Sequence, residues 1–301
     1  VVLSVQAQNI DTLTIGQNGN HDFKTVSAAF DSLYNRGVGN SIMLLVTADY
    51  IPDDSLYHET FPITVQDVIG TDAETTITLK LAEDINVTLK DSADCIFYLD
   101  NAKHFSIYGD GRLNVVNESK VNGTAGIRLY GNCDDIVIDG CNIMAEVADS
   151  CSYGISAECH YGEYPIVLSN NNISRATYGM FVTDDSDKKG RDIIIDGNSI
   201  GDVRDGYHIT SCGICVSVAN SHKDVSSRFV ISDNKIFSVM GGVLPTGITV
   251  YDGSGTISNN LILDIVNNNQ AHETNAAYGM IIMSANDSVE CYNNMISHVA
   301  A

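Results

Sequence analysis

Two short motifs alternate through the second half of this chain, and their spacing decides what it can fold into. The glycine-led pieces are GIRLY (126–130), GISAE (154–158), GMFVT (179–183), GICVS (213–217), GITVY (247–251) and GMIIM (279–283). Between them lie IVIDGCNI (136–143), IVLSNNNI (166–173), IIIDGNSI (193–200), FVISDNKI (229–236), GTISNNLI (255–262) and VECYNNMI (289–296). The leading glycines stand 25 to 34 residues apart, and an isolated isoleucine closes every second piece, at Ile143, Ile173, Ile200, Ile236, Ile262 and Ile296. Alternation in short β-branched runs means strand rather than helix. A unit this small cannot bury an apolar face alone and must stack on its neighbours. No leucine frame of a leucine-rich repeat is present, and each unit lacks the four strands of a propeller blade. A coil of short strands in parallel register with the coils above and below, about 4.8 Å away, satisfies the pattern.

The sixth position of the second motif is Asn171, Asn198, Asn234, Asn260 and Asn294, with Cys141 the exception. Asparagine tolerates left-handed backbone geometry at a sharp corner, and equivalent amides in stacked coils can bond to one another as a structural ladder. The competing reading is that asparagine marks exposed turns. Tyr153, Tyr178 and Tyr278 precede the leading glycine at one register and read as an aromatic stack.

The pattern Gly-Ile-x-Val, loop, Ile-x-Ile-x-x-Asn-x-Ile resembles the right-handed parallel β-helix of the pectate-lyase-like superfamily, over roughly residues 40 to 301. The expected fold is all-β, a right-handed parallel β-helix of roughly ten coils with an N-terminal capping strand and helix. Residues 10–40 form the cap: Leu13 and Ile15 alternate as a strand, Thr25 is a fitting N-cap, and Val26, Ala29, Phe30 and Leu33 share one helix face before Gly37. Asp22-Phe23-Lys24-Thr25-Val26 with Ala28-Ala29 resembles the cap of pectin methylesterases. The order of cap, Thr76–Lys80 and Ile96–Gly109 resembles exported Bacteroidetes β-helix proteins. Residues 1–9 read as the remnant of a signal peptide. Residues 41–301 are then the helix itself, expected to continue beyond Ala301 because a solenoid needs a capping unit.

Net charge is −22. That excludes nucleic acid as a partner, which demands basic surface, and disfavours a polyanionic ligand unless Ca2+ bridges it. No apolar run reaches the length of a membrane span. The eight cysteines do not make a dense framework. Cys291 is expected to pack inward, Cys212-Gly-Ile-Cys215 lies on a strand where thioredoxin-like chemistry does not fit, and Cys133 and Cys159 occupy similar places in adjacent coils where a disulfide could form.

In the superfamily the active groove follows the first-strand sheet, so its outward residues are the ones to inspect. The candidate groove is Arg128, Tyr130, Glu158, His160, Phe181, Lys188, Arg191 and Tyr251. Glu158, Asp184, Asp185 and Asp187 are candidate Ca2+ ligands, set against a plain solvated loop as the alternative. The esterase, polygalacturonase and zinc motifs are missing, tryptophan is absent, and no catalytic residue can be assigned. The resemblance implies a secreted or cell-surface module with a binding, adhesive or structural role toward polysaccharide or a cell-surface glycan. The alternative is a polysaccharide-degrading enzyme: a pectate-lyase-like uronate lyase ahead of a glycoside hydrolase or pectin esterase. Whether the chain is an enzyme stays open at this point.

Overall fold

The computed structural model describes residues 9–146, 151–185, 191–202, 204, 208–218, 228–241, 244–268, 276–283 and 288–301. The chain winds into a parallel β-solenoid of about nine turns, close to the expected ten. One wall is an eight-stranded parallel sheet in strict chain order. Its strands are Ile63–Gln66, Cys95–Asp100, Thr124–Gly131, Ser152–Cys159, Tyr178–Asp184, Cys212–Val218, Thr246–Val250 and Tyr278–Ile282. The other wall is a bent sheet of two wings. Lys103–Asn117 and Asp134–Ala145 run through the bend as single strands, whereas later coils split there, as in Ile166–Ser169 and Asn172–Ser174.

The bend explains the second motif. Its fifth residue, Gly140, Asn170, Gly197, Asp233, Asn259 or Asn293, has φ between 53° and 66°, the left-handed region that Gly, Asn and Asp tolerate best. The expectation that the ladder asparagine itself turns the corner is therefore corrected: the residue before it does. The ladder asparagine points into the coil. Asn171 N and Nδ2 donate to Asn198 Oδ1 at 2.9 and 3.1 Å, and Asn198, Asn234 and Asn260 repeat both bonds to the next coil's amide at 2.9–3.0 Å. Each Nδ2 also donates to a carbonyl of the preceding coil, at Ile138, Leu168, Ile195, Ile231 and Ile257. At Cys141 the row keeps only its backbone bond, from N to Asn171 Oδ1 at 3.0 Å, while the thiol turns to Asp139 O at 3.6 Å. No amide at that position exists to carry the row further back.

The glycine and isoleucine columns are one contact. A Cβ on Gly126, Gly154, Gly179, Gly213, Gly247 or Gly279 would lie 2.3–2.6 Å from Cγ2 of Ile143, Ile173, Ile200, Ile236, Ile262 or Ile296 respectively. Only glycine lets the start of the eight-stranded sheet close onto the far wing of the bent sheet. Inside, one continuous core runs the length of the described stack.

At the N-terminal end, Ile10–Ile15 pairs in parallel with Ser41–Val46. The helix Val26–Arg36 buries Val26, Ala29, Phe30 and Leu33 in the same core, with Phe30 edge-on to Phe105 at 5.3 Å. Thr25 Oγ1 accepts from Ala28 N at 3.1 Å, and Gly37, at φ 70°, donates to Leu33 O at 2.8 Å. Buried Glu59 completes the cap: it accepts from Val26 N at 2.7 Å, from Ser27 N at 2.9 Å and from the Tyr50 hydroxyl. At the far end Cys291 is exposed, not packed inward as expected. It keeps the inward register of Ile257, but no described coil lies beyond it to cover that face.

Three outcomes follow from this packing. Asn234→Ala removes an acceptor for two buried donors, so it should lower urea-unfolding stability by about 2–4 kcal/mol. Gly179→Ala should destabilise as well, whereas an Ala at the open-space position Gly39 should not displace any neighbour. Burial first, and then the Glu59 carboxylate, pushes the Tyr50 phenol far above its ordinary value. A folded pKa raised above the unfolded one gives stability that is complete below about pH 10 and is lost as pH rises beyond it. Alkaline titration of the melting temperature should show that fall, and Tyr50→Phe should remove part of its slope.

Candidate functional site

Outside the eight-stranded sheet, register sets side chains in columns that run across the coils. One column is Ala125, Tyr153, Tyr178, Cys212, Thr246, Tyr278; the next is Tyr98, Arg128, Ser156, Phe181, Cys215, Thr249, Ile281. A third begins Asp100, Tyr130, Glu158, Thr183, Ser217. Small residues at Cys212, Thr246, Cys215 and Thr249 interrupt rows of large ones. The result is a recess of about 480 Å³ whose floor is those four residues. Tyr178 and Tyr278 stand at its two ends, three strand spacings or about 14 Å apart, with Tyr251, Ile281, Met283 and Leu244 around the rim. Every described lining residue is uncharged.

Beyond Tyr178 the aromatic surface continues. Tyr153 and Tyr178 stack with ring centroids 5.5 Å apart and planes 26° apart, and Phe181 packs against both at 5.5 and 5.7 Å. Tyr278 does not join that stack, because Cys212 and Thr246 separate it from Tyr178. Burial raises the phenols of Tyr178 and Tyr251 above the ordinary value, so both remain neutral hydroxyls at physiological pH. Cys215, at an outward register, is nonetheless buried beneath this surface, and burial pushes its thiol up.

The residues of the expected groove do not stay together. Tyr130, Glu158 and His160 stand exposed or half-buried toward one edge of the same face, Tyr130 edge-on to His160 at 6.0 Å, and His160 Nδ1 lies 2.6 Å from Asp185 Oδ1. Arg128 turns its guanidinium back to the Gly123 carbonyl. Phe181 and Tyr251 belong to the aromatic surface. Lys188 and Asp187 lie outside the described residues.

Arg191 and Asp184 require a correction. Both side chains are 0% exposed, paired Nη2 to Oδ1 at 2.9 Å, and Arg191 also donates to the Cys133 carbonyl. The reason is strand parity: Val182 points in, Thr183 out, Asp184 in, so Asp184 continues the interior column rather than the loop surface. A Cβ on Gly162 would fall 2.3 Å from Arg191 Nη1, so the neighbouring loop closes directly over the guanidinium. Neither residue is available to the groove or to a cation.

Of the expected Ca2+ ligands, the three that are described do not come together as a site. Asp184 is spent on Arg191, Asp185 on His160, and Glu158 sits between Tyr130 and Thr183 on the outward column. Among the described residues no group of three or more His, Cys, Asp or Glu could hold a metal ion. Also among them, no helix is long and apolar enough to cross a membrane.

No protein-family model matches the chain, and no curated protein matches it. Solved structures similar to it include Escherichia coli YbhC, at 9% identity over 96% of this chain and 86% of that one, with a TM-score of 0.44. An alginate lyase from Paenibacillus sp. strain FPU-7 is 15% identical over 97% of this chain and 99% of its own, with a TM-score of 0.43. The pectin methylesterase of Aspergillus niger is 15% identical over 97% and 89%, also at 0.43. The parallel solenoid itself is defined by the strand register of this chain.

The burial of Asp184 has a direct test. Asp184→Ala leaves a buried guanidinium without its carboxylate and should cost about 3–5 kcal/mol of stability in chemical denaturation. Asp185→Ala, at an exposed pair, should cost about 1 kcal/mol or less.

Proposed function

We propose that this chain binds a glycan along the outer face of its eight-stranded sheet, seated in the recess between Tyr178 and Tyr278. The observation that carries this reading is the recess itself: an elongated trough with tyrosines at its ends and rim and threonine, serine and cysteine on its floor and side. Sugars present an apolar ring face and a rim of hydroxyls. Exposed tyrosines match the first with ring area and the second with a phenol, and Thr246, Thr249 and Ser211 line the same trough. The two small residues between Tyr178 and Tyr278 leave room for successive sugar rings laid across the coils.

Charge narrows the ligand. The chain carries −22, and the described lining has no cation to offset it. A neutral polysaccharide or neutral cell-surface glycan therefore fits better than a uronate polymer, whose carboxylates the protein's field repels. A binding or adhesive role outside the cytoplasm, secreted or on the cell surface, follows from a polymeric glycan ligand.

A second reading is supported by one feature. His160, oriented by Asp185 and flanked by Tyr130 and Glu158, is the arrangement a general base would need, and it stands on the same face. Under that reading the chain degrades the glycan it binds. Release of reducing ends from a neutral polysaccharide, lost in His160→Ala, would establish it. New absorbance near 235 nm would instead mark a lyase acting on uronates.

The binding reading is tested by affinity electrophoresis and calorimetry against neutral polysaccharides. Retardation by at least one is expected, and Tyr251→Ala should weaken it about tenfold, the equivalent of about 1.4 kcal/mol, without altering the far-UV spectrum. Binding that is unchanged in both Tyr251→Ala and Tyr278→Ala would remove the recess as the site.

A further inference from the structure

A second hollow lies on the other wall, on the outer face of the bent sheet. Three of that sheet's strands run side by side there in parallel: Arg228–Ser232, Ser254–Ser258 and Val289–Tyr292. Phe229, Ile231 and Ile257 are buried, so alternation turns Arg228, Ser254 and Thr256 outward. Glu290 is outward too, between Val289 and Cys291 at the inward register of Gly255 and Ile257. Arg228 pairs in register with Ser254, and Thr256 with Glu290. Ser288, just before Val289, accepts at its carbonyl from Gly255 N at 3.1 Å. The middle strand offers only Ser254, Gly255 and Thr256 along this stretch. Between Arg228 on one side and Ser288 and Glu290 on the other, it forms the floor of a recess of about 400 Å³.

Unlike the tyrosine-lined recess, this one carries charge of both signs. The Cα atoms of Arg228 and Glu290 stand two strand spacings across and two residues along, roughly 12 Å apart. Among the described residues neither the guanidinium nor the carboxylate has a hydrogen bond or an ion pair. The hydroxyls of Ser254, Thr256 and Ser288 lie between them, each able to donate or accept. Asp192 pairs in register with Arg228 on its far side and is not part of the lining. The two recesses belong to different sheets and share no described residue, so this one stands apart from the glycan reading.

We propose that the recess binds a small zwitterion, an amino acid, with its carboxylate on Arg228 and its ammonium group on Glu290. The planar fork of a guanidinium matches a carboxylate, and a carboxylate accepts from an ammonium group. Charge selects among the ligands this pair could hold. The chain carries −22, and Glu290 and Asp192 stand near Arg228, so a bare anion is repelled. A bare cation is drawn to Glu290 but leaves Arg228 unanswered. A net-neutral molecule with one charge of each sign is not repelled by the overall field, and it satisfies both side chains at short range. The hydroxyls of the floor serve its remaining donors and acceptors. Arg228, Ser288 and Glu290 are exposed, and exposed ion pairs are weak, so the affinity is millimolar.

The test is saturation-transfer NMR on the whole chain. Glycine, β-alanine and glycylglycine are the zwitterionic probes, and acetate and methylammonium are the controls with one charge. Transfer to at least one zwitterion is expected at millimolar concentration, with affinity about fivefold or more above either control. Arg228→Gln and Glu290→Gln should each weaken zwitterion binding about fivefold and leave the far-UV spectrum unchanged. Glu290→Gln should also raise the affinity for acetate, because it removes the carboxylate that repels it; a merely structural effect would not do so. Tyr251→Ala, which probes the glycan recess, should bind the zwitterion as the wild type does. No transfer to any of the three zwitterions, acetate held as tightly as glycine, or zwitterion binding unchanged in both Arg228→Gln and Glu290→Gln overturns the proposal.

Discussion

Every described coil from residue 126 onward closes on one contact, a glycine backbone laid against the Cγ2 methyl of an isolated isoleucine. A β-carbon at that glycine has nowhere to go, since the isoleucine methyl on one side and, for most of the column, the next glycine's carbonyl on the other stand closer than any Cβ tolerates. The contact fixes the distance between the eight-stranded sheet and the far wing of the bent sheet. With that distance set, each coil presents the same cross-section to the next, and parallel register can propagate. The asparagine ladder depends on this. Amide bonds of 2.9–3.1 Å from coil to coil require that the corner recur at the same height and angle each time.

A fixed cross-section leaves only the outward side chains free to vary, and the recess is made of that freedom. A tyrosine, then cysteine, threonine and a second tyrosine in one column, with cysteine and threonine beside them, set its floor low between larger neighbours. The same sheet carries the stacked Tyr153–Tyr178–Phe181 surface, where three aromatic rings meet across adjacent strands. On the proposed reading, a ligand laid across the coils meets a template whose shape is written one residue per strand.

Much of this was legible in the repeat. The strands, the inward isoleucines, the asparagine column, Thr25 as N-cap and Gly37 as helix stop are read from period and residue type, because each reflects a local preference or a neighbour one coil away. The left-handed corner was present too, as the Gly, Asn or Asp at 140, 170, 197, 233, 259 and 293, one place before the residue first credited with it. The candidate site was less legible. Alternation places Tyr130, Glu158, Phe181 and Tyr251 outward, and none of the four is buried. Arg191 and Asp184 were placed outside when they are inside, because a cluster of charges reads as solvated unless strand parity is carried one residue further, to Asp184.

By itself, then, the sequence determined that this chain stacks, in what period, and which residues line its interior, for those are consequences of backbone preference and of apolar residues that must be hidden. Only the tertiary structure decided where charge and thiol could be buried and where the surface is hollow. Arg191 finds Asp184 seven residues away but the Cys133 carbonyl fifty-eight away. Tyr178 and Tyr278 become two ends of one recess across one hundred residues of chain. Such pairings depend on the register between coils, and register is set by how loops of unequal length bring each coil back to the same height, which no single unit of the repeat specifies.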